Sequence, residues 1–279
     1  MMKIAFIGGG VMGEAMISGL ISKGSAEPES IAVSDVDQTR LKALRERYGI
    51  RCTADNREAI RGKDIVVLSV KPQVLAEVTE GLQGALQPEQ LVLSIIAGAR
   101  VETLSRQLGH NSIVRVMPNT PAQIGEGISV WTATEAVSQT QREAAQAILT
   151  ALGKEIYVAD EKYIDMATAV SGSGPAYVFL IIEALTDAAV HIGMPGEMAS
   201  ELVLQTILGS VRFAQVSGKH PAELRNMVTS PGGTTAEGLF RLEDGGLRAI
   251  LTEAVIAAYE KAKNLGEPFT AETQRPLIY

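Results

Sequence analysis

The sequence predicts an α/β protein in two parts, a Rossmann-type doubly wound sheet of parallel strands over residues 1–160 and an all-α dimerisation domain over 161–279. Three observations carry this reading. Up to about residue 160, short apolar runs alternate with helical patterns. The first run passes through a glycine-rich turn directly into the first helix. Beyond residue 160 the helical spacing continues with no strand between helices.

In order, "KIAFI", "SIAVSD", "DIVVLSV", "QLVLSII" and "SIVRVMP" are apolar along their length. Parallel strands buried on both faces look like this, whereas a half-exposed strand alternates. Between them lie "VMGEAMISGLISKG", "DQTRLKALRERYG", "QVLAEVTEGLQGAL" and "RVETLSRQLG", each with apolar residues three and four apart. Two further strands, "GISVWT" and "EIYVAD", bracket the helix "SQTQREAAQAILTALG". In the second part, "AYVFLIIEALTDAAVHIG" is apolar nearly all round, and the last helix repeats Leu247, Ile250, Leu251, Ala254, Val255 and Ala258. Helices this apolar are buried on several sides. A single domain could bury them, but the reading adopted is an obligate homodimer whose core is shared between copies.

Composition narrows the function. The chain has 279 residues, 46% of them hydrophobic and 20% charged, with a formal net charge of −7 and no cluster of Lys and Arg. No electrostatic footprint for nucleic acid or an anionic membrane is present, so the expected partner is a small molecule. Cys52 is alone and cannot close a disulfide within the chain, which suits a cytoplasmic setting. His110, His191 and His220 have no metal-ligand spacing, and no metal is expected. The first apolar run dissolves into glycines before it could serve as a secretory signal. Glu183 and Asp187 interrupt the most apolar later stretch, so no membrane span is expected.

The glycines are Gly8, Gly9, Gly10 and Gly13, in "GGGVMG". Gly8 suits the tight turn, Gly10 lets backbone approach a pyrophosphate, and Gly13 lets helix pack on strand. The helix start then offers free N–H groups and the positive end of its dipole. A glycine-rich turn without a ligand would look the same in isolation. The second strand, however, ends in "SDVD", which puts Asp35 roughly 20 residues on, where a carboxylate accepts hydrogen bonds from an adenosine ribose. Together these point to a Rossmann-type dinucleotide site. Asp35 favours the free 2′-hydroxyl of NAD over the 2′-phosphate of NADP, while Arg40 is near enough in sequence to answer a phosphate. The plainer alternative makes Asp35 a cap of the following helix. The loops of "SVKPQ", with Lys71 and Pro72, and of "SIIAG" should open on the same edge of the sheet.

Two stretches of the helical part are unusual for helix connections. "SGSGPAY" (Ser171 to Tyr177) sets hydroxyls before a helix starting near Pro175, and "TSPGGTTAEGL" (Thr229 to Leu239) feeds a Pro-Gly-Gly turn into another. Exposed amides beside hydroxyls suit a carboxylate, here bound by the Ser230, Gly233, Thr234 and Thr235 stretch. Ordinary capped helix starts are the competing reading of each.

The stretches "FIGGGVMG", "VKP", "MPNTP" (Met117 to Pro121), "SGSGPAY" and "SPGGTT" occur in an order, spread over nearly the whole chain, that resembles the pyrroline-5-carboxylate reductase family. The resemblance implies reduction of 1-pyrroline-5-carboxylate to L-proline with NADPH or NADH, the last step of proline biosynthesis. It implies a homodimer with interlocked helical domains, gathered into a larger ring of dimers such as a decamer. Carried over by position, Gly9, Val11, Met12, Asn56, Val70, Lys71 and Ala97 line the cofactor, and Glu161, Thr234 and Thr235 meet the substrate. Two positions depart from the pattern: Asp35 stands where relatives often have Ser or Asn, and Met227 where some have an amide.

The chemistry is compatible. An imine nitrogen is basic enough to bring its own proton, so positioning does most of the work and no strong acid is required. Thr235 is assigned as the catalytic hydroxyl that orients the ring nitrogen, and the Ser230 to Thr234 loop as the carboxylate clamp. A 3-hydroxyacid or ketopantoate-type dehydrogenase would need a donor for the developing alkoxide, and "SGSGPAYVFLII" contains no Lys. A non-catalytic dinucleotide sensor would have no use for "SPGGTT".

Overall fold

The computed structural model describes residues 2–266. The end of the expected helical domain, 267–279, lies outside the described residues. The chain divides into two compact units, one made of the residues up to Ser173 together with those from Ala258 on, the other of Gly174–Ala257.

In the first unit, among the described residues, one sheet holds β1 (Ile4–Ile7), β2 (Ile31–Ser34), β3 (Arg51–Thr53), β4 (Ile65–Leu68), β5 (Leu91–Ser94), β6 (Ile113–Met117), β7 (Gly127–Ala133) and β8 (Gly153–Tyr157). Their order is β3-β2-β1-β4-β5-β6-β7-β8. All neighbours pair parallel except β6 and β7, where Val116 faces Trp131 in an antiparallel ladder. The winding reverses at β1, which lies between β2 and β4. A doubly wound sheet opens a crevice at such a reversal, at the carboxyl ends of its strands.

The helices of this unit are α1 (Val11–Ser22), α2 (Gln38–Tyr48), α3 (Asn56–Ile60), α4 (Leu75–Leu82), α5 (Val101–Leu108), α6 (Gln139–Thr150) and α7 (Lys162–Ala167). Local chemistry sets their ends. Asp37 caps α2 by accepting from Thr39 and Arg40 N–H, and Gly49, at φ 68°, ends it in the left-handed region. Ser138 and Gln141 cap α6 reciprocally. β1, β2, β4 and β5 are buried at every position. One face of the sheet packs Phe6, Val33, Val67 and Leu93 with Met16, Leu20 and Ile148, the other Ile7, Val66, Leu68 and Val92 with Leu82 and Leu104. Two short elements, β3 and α3, had no separate sequence signal. The antiparallel turn of β7 was likewise not foreseen.

The second unit is helical. A wide, π-helical turn, Thr168–Gly172, precedes α8 (Gly174–His191), which is followed by α9 (Gly196–Ser217), α10 (Pro221–Met227), α11 (Thr234–Asp244) and the first part of α12 (Leu247–Leu265). α8 packs against α9, yet α8, α10 and α11 bury no residue within a single chain. The helical run Lys162–His191 is long and apolar enough to cross a membrane by length and composition, with a mean hydropathy of 1.3 over an 18-residue stretch of it, even with Glu183 and Asp187 in the run.

Candidate functional site

The glycine loop is shaped by its neighbours. Gly8 turns at φ 100°, and a Cβ there would stand 2.7 Å from the Ser69 carbonyl oxygen and 2.9 Å from a Val70 methyl. At Gly13 a Cβ would press on the Gly8 carbonyl at 2.5 Å, so the start of α1 is seated on the end of β1. The Ser69 hydroxyl ties the same Gly8 carbonyl at 2.7 Å. Gly10, by contrast, has nothing within 4 Å of its Cβ position, and as the N-cap of α1 it brings no capping side chain. No capping side chain takes the first amides of α1, from Val11 and Met12, an arrangement that fits a pyrophosphate.

Asp35 continues this loop and does not cap α2, a role that Asp37 fills. Asp35 Oδ2 accepts the Gly9 N–H at 2.7 Å, and Oδ1 accepts the Asp37 N–H at 3.0 Å. The Gly9 carbonyl is taken by Arg40 Nε at 2.5 Å. Both polar groups of Gly9 are thus held from the end of β2 and the start of α2. Arg40 is held in turn, because its Nη2 donates to Glu14 Oε2 at 2.5 Å. Glu14 Oε1 also accepts from Arg47 and from the Tyr48 hydroxyl, each at 3.0 Å. Burial raises the Glu14 carboxyl, but the Arg40 and Tyr48 hydrogen bonds and the charges of Arg40 and Arg47 outweigh it and hold the group below the ordinary carboxylate range.

Along the same strand ends, Asn56 opens α3 and accepts from the buried Ser34 hydroxyl at 2.6 Å. Val70 touches the Gly8 position, and exposed Lys71 precedes a single 3₁₀ turn begun by Pro72. Ala97 packs beside Met117, Val130 and Ile164.

The first unit also holds a buried ion cluster. Arg115, in the middle of β6 and 1% exposed, donates from Nη1 to Glu161 Oε1 at 2.7 Å and from Nη2 to Asp165 Oδ1 at 2.6 Å. Glu161 Oε1 also accepts the Val101 N–H at 2.8 Å, satisfying an otherwise orphaned donor at the start of α5. Glu161, expected at the substrate, thus has β6 and α5 as its partners. The Ser171 hydroxyl bonds back to the Ala167 carbonyl at 2.9 Å within the wide turn. Burial also pushes the Cys52 thiol up, the opposite of a reactive thiolate.

Ser230, Gly233, Thr234 and Thr235 belong to the second unit. Gly232 adopts φ 68°, the Gly233 N–H closes a turn onto the Ser230 carbonyl at 3.0 Å, and Gly233 is the N-cap of α11 without a side-chain cap. Thr234 and Thr235 are exposed in its first turn. The result is a helix mouth with amides and two hydroxyls presented together, suited to a carboxylate. Among the described residues no cluster of His, Cys, Asp or Glu could hold a metal.

Sequence reasoning missed Glu14, Arg115 and Asp165. A charged residue inside "SIVRVMP" was a visible signal that carboxylates had to meet it, but their positions 46 and 50 residues later were not. Glu14 gave no signal beyond its place in the first turn of α1.

A family model for pyrroline-5-carboxylate reductase dimerisation matches residues 161–265, and a model described as NADP oxidoreductase, coenzyme F420-dependent, matches 3–98. The pyrroline-5-carboxylate reductase of Methanosarcina acetivorans is 42% identical over 266 residues, covering 95% of this chain and 98% of that one. A solved pyrroline-5-carboxylate reductase from Coxiella burnetii superposes with a TM-score of 0.86 at 39% identity, covering 96% and 99% of the two chains. The Plasmodium falciparum pyrroline carboxylate reductase, solved with NADP bound, gives 0.89 at 34% identity over 95% and 98%. With kinship at this level along its whole length, the chain belongs to the pyrroline-5-carboxylate reductase family.

Proposed function

We propose that this chain is an NAD(P)H-dependent reductase that converts 1-pyrroline-5-carboxylate to L-proline, the closing step of proline biosynthesis. The observation that carries the proposal is full-length identity of about 40% to enzymes bearing that name. The reduced nicotinamide supplies a hydride to the imine carbon. The chain's own residues bind and orient. Gly8, Gly9, Gly10, Val11, Met12 and Gly13 receive the pyrophosphate on the mouth of α1, Asp35 takes the adenosine ribose, and Asn56, Val70, Lys71, Pro72 and Ala97 line the remaining strand-end loops.

The Thr234 amide and the Ser230 hydroxyl, on the turn that the Gly233 N–H closes, clamp the substrate carboxylate, and the Thr235 hydroxyl donates to or orients the ring nitrogen. Ser171 and Glu161 enter as substrate-facing residues on the resemblance alone. The domain division at 160/161, a homodimer formed through the helical part, a ring of dimers such as a decamer, and a cytoplasmic setting with no nucleic acid or membrane partner belong to the same proposal. The dimerisation model over 161–265 and the apolar faces of α8 and α11 support the assembly.

The experiment is oxidation of NADH or NADPH in the presence of 1-pyrroline-5-carboxylate, with a 3-hydroxyacid and NAD as the control pair. Imine-dependent oxidation with an inert control is the expected result. Turnover of the 3-hydroxyacid alone would assign the chain to another reaction.

A further inference from the structure

The dinucleotide rim contains two groups with opposite preferences, and the structure treats them differently. Asp35 has both oxygens anchored on backbone N–H groups and stays at the end of β2, where it meets a ribose. Arg40, five residues on, is the kind of side chain that takes a 2′-phosphate. Its Nε is fixed on the Gly9 carbonyl and its Nη2 on Glu14, and it is only 28% exposed. Glu14 is itself braced from the far side by Arg47 and Tyr48, so it cannot follow Arg40 outward without giving up two further bonds.

We propose that Glu14 is a positioning residue for cofactor choice, latching Arg40 to the glycine loop so that Asp35 alone reads the ribose and NADH is preferred over NADPH. The proposal rests on the dinucleotide-dependent reading above and deepens it. Two features give the latch its effect. Glu14 stands on the very helix whose mouth receives the pyrophosphate, and with Nε on Gly9 and Nη2 on Glu14 the Arg40 fork is turned toward the glycine loop and paired with a carboxylate, so it is not free to swing onto a phosphate.

The test uses the full chain and calorimetric titration with 5′-AMP and with adenosine 2′,5′-bisphosphate, which needs no catalysis. Glu14→Gln removes the charge and keeps the shape. The affinity ratio should move toward the bisphosphate by about tenfold, the value of one recovered charge-assisted contact. Glu14→Gln with Arg40→Ala should return the ratio to that of the native chain. Arg40→Ala alone should weaken both ligands alike through the glycine loop and leave their ratio within about twofold.

An unmoved ratio in Glu14→Gln overturns the latch, and so does a gain that survives loss of Arg40. Should Glu14→Gln fail to fold, Arg40→Ala alone decides: a selective loss of the bisphosphate would mean that Arg40 already serves the phosphate. Absence of NADH binding to the native chain would defeat the dinucleotide reading itself, whereas NADH binding with an unmoved ratio defeats only the latch.

Discussion

The two compact units treat their apolar residues in opposite ways. In the sheet unit, β1, β2, β4 and β5 are dry from end to end, and Ile4, Phe6, Leu20 and Val67 are fully enclosed. In the helical unit, Phe179 is 62% and Leu180 64% exposed, and Val178, Ile181, Leu185, Phe213 and Phe240 are exposed as well. A sheet covered on both faces closes its own core, whereas amphipathic helices close theirs only when something lies on the apolar face. The difference teaches where one chain is self-sufficient and where it needs company. The family model that matches the exposed part is a dimerisation model.

The largest effect should come from Phe179→Asp with Leu180→Asp. On a truly solvent-facing helix such changes alter stability by only about 0.5 kcal/mol each. Here they should abolish assembly and with it the cooperative melting of the helical unit, read by sedimentation and circular dichroism. Arg115→Met tests the first unit in turn. It leaves Glu161 and Asp165 without their buried cation, and a loss of about 3–5 kcal/mol in denaturant unfolding is expected. A loss under about 1 kcal/mol would mean that the cluster is relieved by water.

Thr235→Ala should lower kcat about tenfold to a hundredfold with NADH affinity unchanged, and Thr235→Ser should restore most of it. If Thr235 only supports the start of α11, the melting point falls and kcat stays. Asp35→Ser should shift kcat/KM toward NADPH by roughly tenfold relative to NADH. Because Asp35 also holds the Gly9 N–H, the absolute values for both cofactors should fall, and Asp35→Asn, which keeps an acceptor, should lose less.

The smallest effect concerns acid. The Glu14 carboxyl is held below its ordinary value, so its contribution to stability is present above about pH 4.5 and disappears as the pH falls through the folded value. Glu14→Gln should therefore lower the melting temperature at neutral pH and flatten its decline on the acid side.

Much of the sheet was legible because burial on both faces leaves unbroken apolar runs such as "IAFI" and "LVLS". Direction was not, since β7 has the same pattern whether it runs with β6 or against it. β3, three residues of mixed exposure, has too little apolar content to announce itself. At the glycine loop, residue types and spacing marked the tight turn from β1 into α1 that the structure builds. They could not tell which of Asp35 and Asp37 caps α2, because both stand within three residues of its start. The Glu14, Arg40, Arg47 and Tyr48 network joins α1 to α2 across 26 to 34 residues of sequence. Periodicity within each helix carries no trace of a contact between them.

The comparison of the two units reduces to one measurement, sedimentation of the native chain on dilution to about micromolar concentration, where an assembly held by a shared core persists. The account predicts twice the mass of one chain or a multiple of it, with unfolding that depends on concentration. A folded, stable species with the mass of a single chain would contradict it.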